Sequence, residues 1–198
     1  MAILTKFERL RLLQTIVFFA QNVAFCGKIK LFKLLYLFDF EHFKQTGKSA
    51  TGLDCQAWKF GPVPVEVMEE WDAMNDDLGQ LIRIVEEVVF DYTRQTVNVK
   101  PGVQFDDDEF TPRQLSILQD LVTKYNETFS PEMIDVTHAQ NGAWSKVWQN
   151  GQGRGEPIPY SLALSDDVPH LKAIQEIAVE QAMYRAALTA ARQQAEVC

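Results

Sequence analysis

The strongest constraint on the fold is a predicted helix that has no polar face. It spans about Lys28 to Gln45, and its apolar residues are Ile29, Leu31, Phe32, Leu34, Leu35, Tyr36, Leu37, Phe38 and Phe40. A helix that is apolar all round is normally buried in a larger core. The chain has 198 residues, of which 46% are hydrophobic, and a chain of this size can bury roughly 70% of its surface on folding. We therefore expect this helix at the centre of a core that needs neither disulfides nor metal.

The remaining pattern predicts a mainly α fold with a small antiparallel sheet, of the α+β class. Helical periodicity dominates, and it changes to the strand period only over Ile82–Val99, which predicts a β-hairpin. Helices are predicted over 4–24, about 64–75, from Thr111-Pro112 to about 129, from Ser130 to about 138, around Trp144 and Trp148, and over about 168–196. We predict a single compact domain over residues 1–198, with 168–198 as its C-terminal helix.

The segment Trp58-Lys59-Phe60-Gly61-Pro62-Val63-Pro64 is the most distinctive part of the chain. It follows residues 53–59, which have mixed strand character. Proline fits neither a helix interior nor a central strand. We therefore interpret Gly61–Pro64 as a rigid turn that leads into the helix at about 64–75.

The net charge of the chain limits the classes of partner that we expect it to bind. The formal net charge is −8 and the isoelectric point is about 4.9, which argues against a broad nucleic-acid surface because phosphate binding depends on Lys and Arg. Lys28, Lys30 and Lys33 start the central helix, and we interpret them as a solvated face rather than a phosphate-binding one. Nucleic acid is therefore not an expected partner.

The N-terminal region indicates a soluble cytoplasmic protein. Lys6, Glu8, Arg9 and Arg11 interrupt the apolar positions that a signal peptide needs. The apolar run Leu12–Ala20 is too short to span a membrane. The three cysteines, Cys26, Cys55 and Cys198, have no metal-ligand or disulfide spacing, so we expect reduced thiols.

No arrangement of side chains predicts catalysis. Asp106–Glu109 lacks the EF-hand spacing and is interpreted as an acidic surface loop. The glycine-rich segment Gly151–Gly155 lacks the Lys-Ser/Thr of a P-loop. His138 lies beside no recognisable nucleophile motif and is interpreted as structural. We expect no enzyme activity, no catalytic residue, no metal site and no cofactor.

Several blocks together resemble the Panacea domain, the SocA-like antitoxin domain of bacterial and phage toxin–antitoxin systems. They lie within about residues 5–165: Lys33-Leu34-Leu35-Tyr36-Leu37, Asp39-Phe40-Glu41-His42-Phe43, Gly47, Thr51-Gly52-Leu53, Ala57–Pro64, Thr137-His138-Ala139, Ala143-Trp144 and Pro157–Leu164. The resemblance implies an antitoxin that neutralises a cognate protein toxin by direct binding. Two alternatives stay open: a proteolytic adaptor that delivers the toxin to a protease, and a DNA-binding autorepressor.

A toxin-binding surface would need aromatic anchors and complementary charge. Large aromatic side chains dominate the energy of protein interfaces, and acidic residues suit a basic toxin surface. The candidates are Trp58 and Phe60 at the predicted turn, Trp148 beside the glycine-rich loop, and Glu69, Glu70 and Asp72 around the third helix. The toxin's identity and homo-oligomerisation stay open.

Overall fold

The computed structural model describes residues 4–74, 76–89, 92–139 and 142–196. The helices are α1 (Lys6–Asn22), α2 (Lys28–Thr46), α3 (Val65–Glu70), α4 (Asp76–Leu81), α5 (Pro112–Tyr125), α6 (Ser130–Thr137), α7 (Ala143–Trp148) and α8 (Leu171–Glu196). The strands are β1 (Cys55–Trp58), β2 (Gly61–Pro64), β3 (Ile82–Val89) and β4 (Tyr92–Val99). The predicted mainly α fold with a small antiparallel sheet is confirmed. The single-domain boundary stays a prediction, and Cys198 lies outside the described residues.

Helix α2 lies at the centre of the molecule, as its apolar sequence predicts. Leu31, Leu34, Leu35 and Phe38 are fully buried and pack into a core that α1 and α5 also enter. The other side of α2 enters a second apolar cluster, which contains Tyr36, Phe40, Cys55, Ala57, Ala143, Trp144 and Ile158. The central helix therefore connects the main core to the region around β1 and α7.

The interpretation of Gly61–Pro64 as a turn is wrong. These residues form β2, which pairs antiparallel with β1, from Cys55 opposite Pro64 to Trp58 opposite Gly61. The turn itself consists of Lys59 and Phe60. The prolines fit because β2 is an edge strand of a two-stranded sheet, where a missing backbone N–H is tolerated. Helix α3 is consequently shorter than predicted and ends at Glu70.

The second hairpin matches its prediction. β3 and β4 pair antiparallel from Ile82 opposite Val99 to Val89 opposite Tyr92, whereas Phe90 and Asp91 lie outside the described residues. Ile82 and Val97 are buried in the main core. The Val97 backbone N–H donates to the Cys26 carbonyl at 2.8 Å, so the hairpin is held against the connection between α1 and α2.

The loop after α2 is organised around one buried carboxylate. Asp39 is fully buried, and its Oδ1 accepts hydrogen bonds from the backbone N–H groups of Ala50 and Thr51 at 2.8 and 2.7 Å. Its Oδ2 lies 2.6 Å from Thr51 Oγ1, 3.3 Å from Leu53 N and 3.0 Å from Tyr160 Oη. A buried carboxylate is stable only when it is paired or well hydrogen-bonded, and here the loop supplies the donors.

Helix α8 lies on this loop at Gly47. Gly47 ends α2 in the left-handed conformation, with φ at 72°, which glycine adopts without steric cost. A Cβ at this position would lie 2.5 Å from the Ile174 carbonyl oxygen and 3.0 Å from Ala178 N. Further along α8, Arg185 pairs with Glu8 and donates to the Gly52 carbonyl at 3.2 Å. The close backbone contact and this pair hold α8 against the loop.

Replacing Gly47 with alanine is expected to loosen α8 while leaving α2 in place. The new methyl group would collide with the α8 backbone, so amide hydrogen exchange along α8 should accelerate more than tenfold, a cost of at least about 1.4 kcal/mol. Gly102→Ala is the matched control, because Gly102 also has a positive φ but has no atom within 4 Å of its Cβ position. Equal exchange rates in the two variants would contradict the steric role of Gly47.

Two further features bear on the sequence expectations. Cys26 and Cys55 are free and buried, and burial raises the pKa of the Cys26 thiol to about 12, which keeps it protonated at neutral pH. Among the described residues, no helix combines the length and the apolar character that crossing a bilayer requires.

Candidate functional site

Two large aromatic side chains project from the turn between β1 and β2. We call residues Trp58–Gly61 the hairpin tip. Trp58 is 41% exposed and Phe60 is 59% exposed, and Lys59 Nζ lies 5.4 Å from the centre of the Phe60 ring. Exposed aromatic residues of this kind are typical of binding surfaces rather than of a folded core.

Helix α7 supports the hairpin tip through Trp144. The Trp144 indole N–H donates to the Trp58 carbonyl at 3.1 Å. Its ring stacks on Trp148 with centres 5.4 Å apart, and on His138 with centres 3.7 Å apart and planes 4° apart. Trp144 is buried, whereas Trp148 is partly exposed. The Trp58 backbone and the Trp148 ring, which are distant in sequence, therefore both contact one buried indole.

The edge of β1 that faces away from β2 is also hydrogen-bonded. The Ala57 N–H donates to the Glu156 carbonyl at 2.9 Å, and the Gly155 and Ile158 N–H groups donate to Ala57 and Cys55 carbonyls at 2.8 Å. The end of the glycine-rich loop therefore runs beside β1 and forms an irregular third segment of the sheet. Because both edges of β1 are hydrogen-bonded, the backbone that carries Trp58 is held rigidly.

Lys33 lies beneath the hairpin tip. Its side chain is buried, with 2% of the residue exposed, and Nζ donates to the Pro62 carbonyl at 2.9 Å. Gly61 has a φ of 100°, and a Cβ there would lie 2.8 Å from both Lys33 Nζ and Thr137 Oγ1. Only glycine therefore allows the turn to lie this close to α2 and α6.

The expectation that the lysines of α2 form a solvated face is wrong for two of them. Lys30 is fully buried, and its Nζ donates to the carbonyls of Ala24 and Asn126, each at 2.7 Å. Lys33 is buried as described above. Their aliphatic stems pack in the core while each ammonium group reaches backbone carbonyls. Of the three lysines, only Lys28 keeps partial exposure.

Burial changes the ionisation of the groups at this site. It lowers the pKa of Lys33 to about 8. Burial, together with the charge of Lys33, also lowers the pKa of His138, so the imidazole that stacks on Trp144 is neutral at pH 7. His138 ends α6, as expected of a structural histidine, and it contributes a flat surface rather than a charge.

Raising the pH from 7.5 to 10 is expected to stabilise the wild-type chain by about 2 kcal/mol relative to Lys33→Met. In the unfolded chain Lys33 keeps its proton up to its ordinary pKa of 10.5, whereas the folded chain loses it near 8. The unfolded state therefore binds more protons between these values, and stability rises with pH. Urea denaturation of both chains at the two pH values measures the difference. A difference in unfolding free energy between the two chains that is the same at both pH values would contradict the buried position of Lys33 Nζ.

None of the three acidic candidates belongs to the hairpin tip. Glu70 is held by Arg9 of α1, whose Nη1 and Nη2 donate to the two carboxylate oxygens at 2.8 Å each, and Arg9 also pairs with Asp77 at 2.7 Å. Glu69 and Asp72 are exposed. The carboxylate of Glu70 thus links α1 to α3, and the assignment of these residues to a partner surface stays a prediction.

Sequence reasoning missed the support beneath the exposed aromatics, namely Lys33, Thr137, His138 and Trp144. One signal could have indicated Lys33: a helix that is apolar on every side has no solvated face for its lysines. His138 and Trp144 lie in two of the blocks that carry the family resemblance, but their stacking could not be predicted, because it depends on where α6 and α7 lie relative to β1. Together these groups form the base beneath the exposed aromatics.

Comparison with known proteins identifies a protein family over the central part of the chain. The family model for the Panacea domain of SocA-like antitoxins matches residues 31–145, a range narrower than the predicted 5–165 that excludes α8 and the segment Pro157–Leu164. No curated protein and no solved structure matches the chain significantly. Because the matched range contains the hairpin tip with its supporting residues and covers more than half of the chain, the protein belongs to the family of SocA-like antitoxins with a Panacea domain.

Proposed function

We propose that this antitoxin neutralises a cognate protein toxin by direct binding, and that the hairpin tip with Trp148 is the centre of the toxin-binding surface. The observation that carries the proposal is the exposure of Trp58 and Phe60 on a turn whose backbone is fixed from three sides. A backbone segment that is already fixed loses little conformational freedom on binding, which favours affinity.

The hairpin tip with Trp148 can form the centre of a protein interface of standard size. A standard protein interface buries around 1,600 Å² in total, with a few aromatic anchors supplying most of the energy. Trp58, Phe60 and Trp148 supply the anchors. We propose Glu69 and Asp72, which are exposed, as peripheral charges that favour a basic toxin.

The alternative functions receive less support. A DNA-binding autorepressor would use the lysines of α2, but Lys30 and Lys33 are buried with their ammonium groups bonded to backbone carbonyls. A proteolytic adaptor would also bind the toxin, but it would deliver the bound toxin to a protease. The half-life of the toxin in cells with and without the antitoxin separates adaptor from direct neutraliser.

The test expresses each open reading frame that flanks this gene, alone and together with this chain. We expect one flanking product to arrest growth when expressed alone and growth to recover when both chains are expressed, without loss of the toxin protein. The purified chains should form a complex whose affinity falls between low and high salt, because exposed charges are screened by salt. Rescue that requires toxin degradation would favour the adaptor, and salt-independent affinity would remove the peripheral charges from the proposal.

A further inference from the structure

A cleft of about 800 Å³ lies between α8 and the body of the protein. One wall comes from the end of α2 and the loop that follows it, including Phe43 and Lys48, and the opposite wall from the inner face of α8, including Ala178 and Ala182. Small-molecule sites typically have volumes of about 300–1,000 Å³. The cleft is distinct from the aromatic surface assigned to the toxin, since neither the hairpin tip nor Trp148 lines it.

The floor of the cleft is aromatic. Phe43 and Tyr160 both line it, and their rings stack with centres 5.3 Å apart and planes 22° apart. The hydroxyl of Tyr160 is directed away toward Asp39 and the Leu53 carbonyl, which leaves the ring as the surface offered to the cleft. With Leu164 and the α8 alanines, these rings form an apolar surface for the body of a ligand.

Two cations that line the cleft, Arg11 and Lys48, form no ion pair within the described residues. Arg11 donates to the carbonyls of Glu109 and Ala50 at 2.9 and 2.6 Å. Its hydrogen bonds are therefore with neutral groups, while the charges of Glu109, Glu8 and Asp39 act on it from a longer distance. Lys48 is exposed, and its Nζ contacts no acidic group in the described part of the chain. Burial lowers the pKa of His42, and the charges of Arg11, Arg113 and Lys48 lower it further. Among the residues that line the cleft, the cations Arg11, Lys48 and Arg185 outnumber the acids Glu8 and Asp54, although the whole chain carries −8.

Three other charged side chains line the cleft: Arg185, Glu8 and Asp54. Arg185 pairs with Glu8, so these two charges cancel at one end. Asp54 is exposed at the rim. Of the cations that line the cleft, Arg11 and Lys48 are therefore the two without an ion-pair partner in the described part of the chain.

We propose that this cleft binds a small amphipathic anion, with its anionic head at Arg11 and Lys48 and its apolar body against Phe43, Tyr160 and the inner face of α8. Charged hydrogen bonds to the head would give orientation, and the aromatic floor would bury the apolar part. A ligand bound there contacts both walls, so it holds α8 to the body. Binding would stabilise the folded chain by mass action.

The test is isothermal titration calorimetry of the full chain with four probes. Sodium decanoate and naphthalene-1-sulfonate are the anions, decanol is the neutral analogue, and decyltrimethylammonium is the cation with the same tail. We expect at least one anion to bind once per chain and at least tenfold more tightly than decanol or the cation. The proposal is overturned when neither anion binds, or when the neutral or cationic probes bind equally well.

Two variants locate the bound anion. Lys48→Gln removes one exposed charge and is expected to weaken anion binding about three- to tenfold. Ala182→Trp fills the cleft and is expected to abolish binding, whereas Ala187→Trp, on the exposed outer side of α8, is expected to leave it unchanged. Circular dichroism confirms that all variants are folded. Anion binding that survives Ala182→Trp would overturn the assigned site. Loss of toxin neutralisation in Ala182→Trp, without anion binding to the wild type, would instead assign the cleft to a protein segment.

Discussion

Replacing Asp39 with alanine is expected to lower the free energy of unfolding by about 3–5 kcal/mol, because each buried donor that loses its acceptor costs about 1–3 kcal/mol. The carboxylate accepts hydrogen bonds from Ala50, Thr51, Leu53 and Tyr160. Alanine removes the acceptor and leaves the loop N–H groups buried without a partner, and unsatisfied buried donors are costly. Urea denaturation followed by far-ultraviolet circular dichroism measures the loss.

Two milder variants show how the loss of unfolding free energy is divided among the hydrogen bonds to Asp39. Thr51→Val removes only the hydroxyl donor at 2.6 Å, and Tyr160→Phe removes only the ring hydroxyl, so each is expected to cost about 1–2 kcal/mol. Burial raises the pKa of Asp39, whereas the hydrogen bonds from Thr51, Tyr160 and Ala50 oppose that rise. An Asp39→Ala variant that costs no more than Thr51→Val would show that the backbone donors do not depend on the carboxylate.

Replacing Phe60 with alanine is expected to weaken toxin binding about 30-fold or more, the effect of losing an interface anchor worth about 2 kcal/mol. The ring is 59% exposed, so the free antitoxin loses little packing and should unfold at the same urea concentration as the wild type. Surface plasmon resonance against the purified toxin measures affinity, and rescue of growth on co-expression reports neutralisation.

Phe7 provides a matched control for Phe60. It is 60% exposed and belongs to α1 rather than to the hairpin tip, so Phe7→Ala removes an equally exposed ring elsewhere on the molecule. We expect Phe7→Ala to change affinity less than threefold. Equal losses in both variants would indicate a general effect of surface hydrophobicity and would remove the hairpin tip from the toxin interface.

The sequence predicts most of the fold because local patterns dominate it. The apolar run of α2, the strand period of Ile82–Val99 and the cap at Thr111-Pro112 each specify an element, and the structure has all three. The strand β2 was missed because prolines at 62 and 64 oppose a strand by local rules. They are compatible with β2 only because it is an edge strand, and that depends on its pairing with β1.

The candidate site is only partly predictable for the same reason. Trp58 and Phe60 follow from the turn-like segment, since a turn places side chains at the surface. Glu70 could not be recognised as an internal partner, because its contact with Arg9 joins residues 61 positions apart. The base beneath the aromatics combines residues from α2, α6 and α7, and no local pattern records that combination.

The contact at Gly47 has a consequence for how the C-terminal helix can vary. Gly47 lies inside the matched family range of 31–145, and α8 lies outside it. The atoms of α8 nearest to a Cβ at Gly47 include the Ile174 carbonyl oxygen and Ala178 N, which every sequence supplies. Substitutions of exposed α8 side chains therefore need not disturb this attachment, and the outer surface of the helix is free to diversify while its position is kept.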